Sequence, residues 1–296
     1  MKAEFEEKTF EVAANNEFQF LGATYTCPAC GGTHCVYCGA RHRAPTVDIW
    51  APGQVIESVL GFDVLVDLQG NVEEIEALIG RALPTGMQWK PHFGNPAQVG
   101  SAPDWASLFL QYKRPERITR RRGKFTNLFE GEYYRFDLDA EQHQTLATFA
   151  AATAGDAVVC YAAPRFYTNA DMLWYRQQRL VLSRTVFIDT GADADHRYGA
   201  YDEHHAVLCS EPEQVRAVGL PGLIAAVRRL NRGAGDGPVP DLSAHLTLLA
   251  SGLRTQTSQD TTPSPTDIGD IIRRILNFTD QHDLTWLIAR TQPSPS

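Results

Sequence analysis

Residues 156–163, DAVVCYAA, limit how this chain folds more than any other stretch. Beyond Asp156 the run is apolar throughout, and Pro164 closes it. A run of this kind reads as a strand buried on both faces, which requires helices above and below its sheet. The neighbouring segments agree. FDVLVDL at 62–68 alternates, with Phe62, Val64, Val66 and Leu68 facing one way and Asp63, Leu65 and Asp67 the other. SLFLQYK at 107–113 and LVLSRTVFI at 180–188 read as further strands. Helical patterns fall at 3–16, 71–82, 140–153, 220–231 and 267–278, with a short helix or turn at 53–60 and a Pro- and Gly-rich loop at 84–104. In 3–16, Phe5, Thr9, Val12 and Ala13 share one face. Strands alternating with helices predict an α/β fold with a mixed central sheet flanked by helices. The chain is expected to divide into an α/β domain over 1–215, a helical extension over 216–253, a flexible linker over 254–266 and a helical segment over 267–290, ending in a disordered TQPSPS.

The length, 296 residues, suffices for one large domain or two small ones. No apolar run is long enough to span a bilayer, and the opening MKAEFEEKTFEVAANNEF lacks the apolar core of a secretory signal. A cytoplasmic location without membrane contact is the expectation. The net charge of −8 opposes nucleic acid as a partner, but local charge decides contact. In 113–124, KRPERITRRRGK, seven of twelve residues are Lys or Arg and only Glu116 opposes them. One reading is a solvated loop. The other is a phosphate-contacting edge built from Arg114, Arg117, Arg120, Arg121, Arg122 and Lys124, and its place directly after the strand 107–113 favours that one.

Four of the six cysteines, Cys27, Cys30, Cys35 and Cys38, form two CxxCG units. Each unit makes a turn that aims two thiolates at one point, so the pair suits a tetrahedral four-cysteine Zn²⁺ site. The short spacer predicts a compact knuckle inserted at 24–43, with His34 and His42 as substitute ligands. A closed four-thiolate site is structural, because it leaves no position for substrate. Disulfides and a redox CxxC are the competing readings, and the lack of an export signal weighs against the first. Cys160 and Cys209 read as buried, inert thiols.

Strand periodicity places Phe109, Gln111 and Lys113 on one face of 107–113. A lysine closing an apolar strand, two residues after a glutamine, is unusual for packing alone. If the strand bearing Asp63 is a neighbour, Asp63, Gln111 and Lys113 converge at one end of the sheet. GFDVLVD followed by LFLQYKRPE resembles the PD-(D/E)XK nuclease superfamily, in the variant whose second acid is Gln. The resemblance covers mainly 55–68 and 107–115. It implies a restriction-endonuclease-like core, a catalytic Mg²⁺ or Mn²⁺, DNA as substrate and a role in bacterial defence against foreign DNA. The further partners considered are a second copy of the chain or a partner protein of a defence complex.

Under that resemblance Asp63 is the main metal ligand, with the Gln111 amide oxygen and the Tyr112 backbone carbonyl completing the shell. Lys113 orients the water or stabilises phosphate charge. Gln supplies no charge, so another acid is required. Glu57 is the first choice, and Glu7 or Glu11 on the opening helix the second. Without such an acid the fold is catalytically dead. The alternative function is an inactive zinc-containing subunit that binds nucleic acid or a partner. Asp202, Glu203, His204 and His205 are set aside as a metal site, because adjacent residues on a strand point to opposite faces. Glu141 is assigned to a helix start.

Overall fold

The computed structural model describes residues 1–21, 47–50, 64–65, 104–119, 128–129, 131–191, 196–209, 213–230, 242–254 and 268–291. Over these the chain is a mixed α/β fold with two sheets and six α-helices. None of these helices is long and apolar enough to cross a membrane.

The larger sheet is built from β1 (Val47–Trp50), β12 (Thr285–Thr291), β3 (Asp104–Tyr112), β6 (Ala157–Pro164), β7 (Thr185–Asp189) and β11 (Ala217–Val218), in that spatial order. A seventh strand, β2 (Val64–Leu65), pairs in parallel with β12. β3 and β6 run parallel, with Ser107 opposite Ala157 and Tyr112 opposite Ala162, while β12 and β7 flank them antiparallel. The smaller sheet is antiparallel in the order β10 (Glu213–Val215), β9 (Ala206–Cys209), β8 (Tyr198–Tyr201), β5 (Tyr133–Asp137) and β4 (Glu116–Ile118).

Period-two alternation splits the larger sheet between two cores. Leu108, Leu110 and Tyr112 of β3 enter one with Phe10, Ala13, Ala14 and Phe18 of α1 (Glu7–Leu21) and Leu223 and Val227 of α4 (Leu220–Leu230). Phe109 enters the other, with Leu146 and Phe149 of α2 (Ala140–Ala152), Leu249 of α5 (Leu242–Arg254) and Ile275 of α6 (Ile268–Gln281). The run 156–163 is thus covered on both sides, as its unbroken apolar character predicts.

Two helix starts are set by short polar caps. Asp139 accepts from the Gln142 amide at the head of α2, and Thr168 accepts from the Asp171 amide at the head of α3 (Asn169–Gln178). Some expectations shift. The buried stripe of α1 runs through Phe10, Ala13, Ala14 and Phe18, leaving Thr9 exposed and Val12 half-buried. The strand expected over 180–188 starts only at Thr185, because Leu182–Arg184 tighten into a 3-10 turn in which the Arg184 amide donates to the carbonyls of Leu180 and Val181.

The largest correction lies at 267–290. The helix there ends at Gln281, and residues from Thr285 form the central strand β12. Trp286 and Ile288 point into one core and Leu287 into the other, the alternation of a strand between two covered faces. The stretch expected as a helical extension likewise contributes β11 to the larger sheet.

Candidate active site at the end of strand β3

Lys113 follows β3 immediately, and its backbone N–H still donates to the Ala162 carbonyl at 3.0 Å, so it remains in the sheet. It is 7% exposed and Gln111 only 2%. An ammonium that deep needs compensating charge. Four carboxylates from separate places in the chain act on it through space, in order of influence Glu7, Asp283, Asp139 and Asp137. Glu7 opens α1, Asp137 closes β5, Asp139 caps α2 and Asp283 lies in the turn between α6 and β12. The ammonium also sits 5.7 Å from the centroid of the Tyr161 ring.

Burial pushes the Lys113 ammonium below the ordinary lysine range, and the four carboxylates oppose that fall. Burial likewise pushes Glu7 above the ordinary carboxylate range, against the attraction of Lys113 and a backbone hydrogen bond from Arg114. Each partner is drawn toward its neutral form by desolvation and held charged by the other.

Glu7 is held in place through the residues after β3. The Arg114 amide donates to its Oε2 at 2.9 Å, and the Arg114 guanidinium donates to the Ala3 carbonyl at 2.6 and 3.2 Å and to Glu6 at 2.8 Å. The start of α1 is therefore fastened to the end of β3. Glu11 turns elsewhere: it takes Lys8 at 2.9 Å and the Thr285 hydroxyl at 3.2 Å, tying α1 to β12. Of the two helix-borne acids expected as substitutes, Glu7 is the one whose charge acts on Lys113.

Gln111 lies on the same face as Phe109, as its spacing predicts. Its amide nitrogen donates to the His282 carbonyl at 3.4 Å, and the same carbonyl accepts from Gln142 at 2.6 Å. The Tyr112 side chain points to the opposite face, donating to Asn15 at 2.6 Å and packing edge-on to Phe10. Asp63, Glu57, Cys27, Cys30, Cys35, Cys38, Arg120, Arg121, Arg122 and Lys124 lie outside the described residues. Val64 and Leu65, which follow Asp63, pair with Trp286 and Leu287. β12 therefore separates this pair from β3, placing the two strands roughly 10 Å apart at two strand spacings.

The two described arginines of the basic run contact carboxylates of their own chain. Arg114 pairs with Glu6, while Arg117 pairs with Glu132, donates to the Tyr167 hydroxyl at 2.6 Å and stacks over that ring. Among the described residues no group of three or more His, Cys, Asp or Glu is arranged to hold a metal ion. His204 and His205 are exposed in the β8–β9 turn, where Asp202 accepts from both backbone amides, and Glu203 pairs with Arg165. Cys160 and Cys209 are free and buried, and burial pushes the Cys160 thiol up.

Sequence reasoning passed over Asp137, Asp139, Gln142 and Asp283. The helix-cap spacing of Asp139 and Gln142 was a usable local signal. Asp283 had none, since only the return of β12 into the sheet brings it to Lys113. No protein-family model matches the chain, and no curated protein or solved structure matches it.

Proposed function

We infer that the protein is a divalent-metal-dependent nuclease of the PD-(D/E)XK type that hydrolyses phosphodiester bonds in DNA, acting in the cytoplasm in defence against foreign DNA. The observation that carries this reading is buried Lys113, at the end of a central strand and two residues after Gln111, with the charge of Glu7 from the opening helix acting on it. Under this reading Glu7 is the acid that the neutral Gln111 lacks.

The donor chemistry suits a hard cation, since Glu7 and Asp283 offer carboxylate oxygens and Gln111 an amide. The described residues do not complete a ligand cage, so the reading requires Asp63 as a further ligand. A bound Mg²⁺ or Mn²⁺ would supply charge on the scissile phosphate and acidify an attacking water. Lys113 places an ammonium where phosphate charge develops, and its partial desolvation strengthens that interaction. Glu7 keeps the ammonium charged while Tyr161 walls one side from water. Cys27, Cys30, Cys35 and Cys38 hold one structural Zn²⁺ under the same reading.

The test is cleavage of linear and supercoiled DNA and of RNA with Mg²⁺ or Mn²⁺, using wild type and Lys113→Met. Wild type should cut, and the variant should lose a factor of roughly 100 or more, the scale of a positioned charged group. Metal analysis of the same preparation should find about one zinc per chain. No cleavage of any nucleic acid with either metal, or undiminished cleavage by Lys113→Met, sinks the nuclease reading. A second reading, a non-cleaving subunit that docks on a partner protein, draws support from Leu173 and Trp174, which stand together and exposed on α3. Cleavage is the outcome that eliminates it.

A further inference from the structure

Residues 165–184 carry four arginines, Arg165, Arg176, Arg179 and Arg184, and a single acid, Asp171, in a chain whose net charge is −8. That acid is occupied locally, accepting from the Thr168 hydroxyl at 2.6 Å at the head of α3. Arg114, Arg117, Arg135 and Arg165 each pair with a carboxylate, whereas Arg176 and Arg184 form no ion pair among the described residues. The result is a local excess of positive charge.

Within it stands Trp174, 52% exposed where Trp286 is 1%. At roughly 100° per residue, Leu173, Trp174, Gln177 and Gln178 share the outward side of α3, and all four are exposed. Arg176 borders that side at one flank. Arg184 borders the other, its guanidinium 5.6 Å from the Tyr175 ring centroid. Trp174 is propped from below: its ring meets Tyr175 edge-on with centroids 5.0 Å apart, and Tyr175 packs on buried Phe166 at 5.0 Å. A protein surface or a nucleobase would cover such a ring. The flanking guanidiniums and exposed amides suit a polyanion with flat bases.

The patch also runs beside the opening helix. The Asn169 amide donates to Glu4 Oε2 at 2.9 Å, and the Glu4 amide donates to the Tyr167 carbonyl at 2.8 Å. Beyond the other end of α3, the Val181 amide donates to Glu17 at 2.7 Å. α3 is thus fastened along α1, whose first residue is Glu7.

We propose that Trp174, Arg176 and Arg184 form a binding surface for single-stranded nucleic acid, in which an unpaired base stacks on Trp174 and the two guanidiniums take neighbouring phosphates. A duplex keeps its bases stacked inward, so the platform selects single strands. The proposal deepens the nuclease reading, resting on it for the nature of the polyanion, and names the form of substrate engaged.

The experiment is fluorescence anisotropy with the full chain, without added divalent metal so that nothing is cut. The probes are a labelled oligothymidylate, its duplex with oligoadenylate, and labelled polyglutamate. Wild type should bind the single strand roughly tenfold or more tightly than the duplex. Trp174→Ala should weaken that binding roughly five- to hundredfold, the scale of one lost stacking contact, and Trp174→Phe should keep most of it. Arg176→Gln combined with Arg184→Gln should flatten the salt slope by up to roughly 1.4, the value for two single-strand phosphates. Arg197→Gln, an exposed arginine ahead of β8, should bind as wild type does. All four positions are exposed, so unfolding temperatures should not change. No binding of oligothymidylate by wild type, or wild-type affinity in Trp174→Ala, overturns the assignment. Tighter binding of polyglutamate than of oligothymidylate overturns it in favour of an acidic protein partner. Cleavage of nucleic acid by wild type leaves the nuclease reading standing in each of these cases. Trp174-dependent binding by a protein that cuts nothing with either metal keeps the surface and overturns the nuclease reading.

Discussion

Ser107 and His245 satisfy each other in the middle of the core. The Trp286 indole N–H donates to the Ser107 hydroxyl oxygen at 3.1 Å, and that hydroxyl lies 2.9 Å from His245 Nε2. Burial pulls the His245 pKa down to about 4, so the ring is neutral, and because the Ser107 oxygen already accepts from Trp286, the tautomer that satisfies the serine proton is the one with Nε2 as acceptor. Ser107→Ala strands a buried donor and a buried acceptor together, and urea unfolding should register a loss of about 2–3 kcal/mol. The same histidine makes stability depend on pH. Unfolded, it takes up a proton near the ordinary value of 6.5, which the folded state refuses until about 4. Stability from this group is complete above 6.5 and falls as pH drops toward 4, by up to about 3 kcal/mol. His245→Gln should flatten that part of the profile. Equal slopes for wild type and variant between pH 7.5 and 4.5 would contradict the assignment. The serine's role was not legible in the sequence, because its partners lie on α5 and β12, far along the chain.

Pairing within an element also places demands on single positions. Gly199 of β8 stands opposite Phe136 of β5, and a Cβ built on it would lie 2.4 Å from the ring tip. The Phe136 ring is wedged between Tyr161 and Tyr201, with centroids 5.5 and 5.8 Å away, and has no room to withdraw. Gly199→Ala should therefore lower stability by about 1–3 kcal/mol, seen as a reduced unfolding temperature. Elements with a strong local signal were readable in advance: β6 from its unbroken apolar run, α2 from its helical pattern, and the shared face of Phe109, Gln111 and Lys113 from period two. β12 was not. LTWLIA directly follows an amphipathic helix, and a short apolar run there extends helical periodicity as readily as it starts a strand. What decides is the vacant position beside β3, a property of the assembled sheet.

On the scale of the molecule, the candidate site gathers groups from Glu7 to Asp283, nearly the whole described span. Lys113 and the alternative acid Glu7 were legible because a strand-end lysine and a helix-borne acid have chemical reasons to stand out. Asp283 was not, because its position depends on a hydrogen bond spanning 171 residues, from Gln111 to His282. The sheet depends on the same long return. β12 pairs with β3 over seven residues and also carries β1 and β2. Ending the chain at Asp283 would remove this strand, open the β3 edge and expose Phe109, Trp286's stacking partner. Such a chain should show no cooperative unfolding transition by circular dichroism, and a sharp wild-type-like transition would refute the central role given to β12.

The place of β12 has a consequence for the order of synthesis. A ribosome delivers β3 and β6 long before the residues that lie on β3's other side. Until they arrive the nascent chain carries an apolar strand with one edge unpaired, the state in which neighbouring chains on a polysome adhere. Its larger sheet closes only after residue 291 has emerged, and until then a holding chaperone would find its target in β3. The turn bearing Asp283 docks in the same late event, and whatever chemistry Lys113 performs stays dormant until β12 is in place.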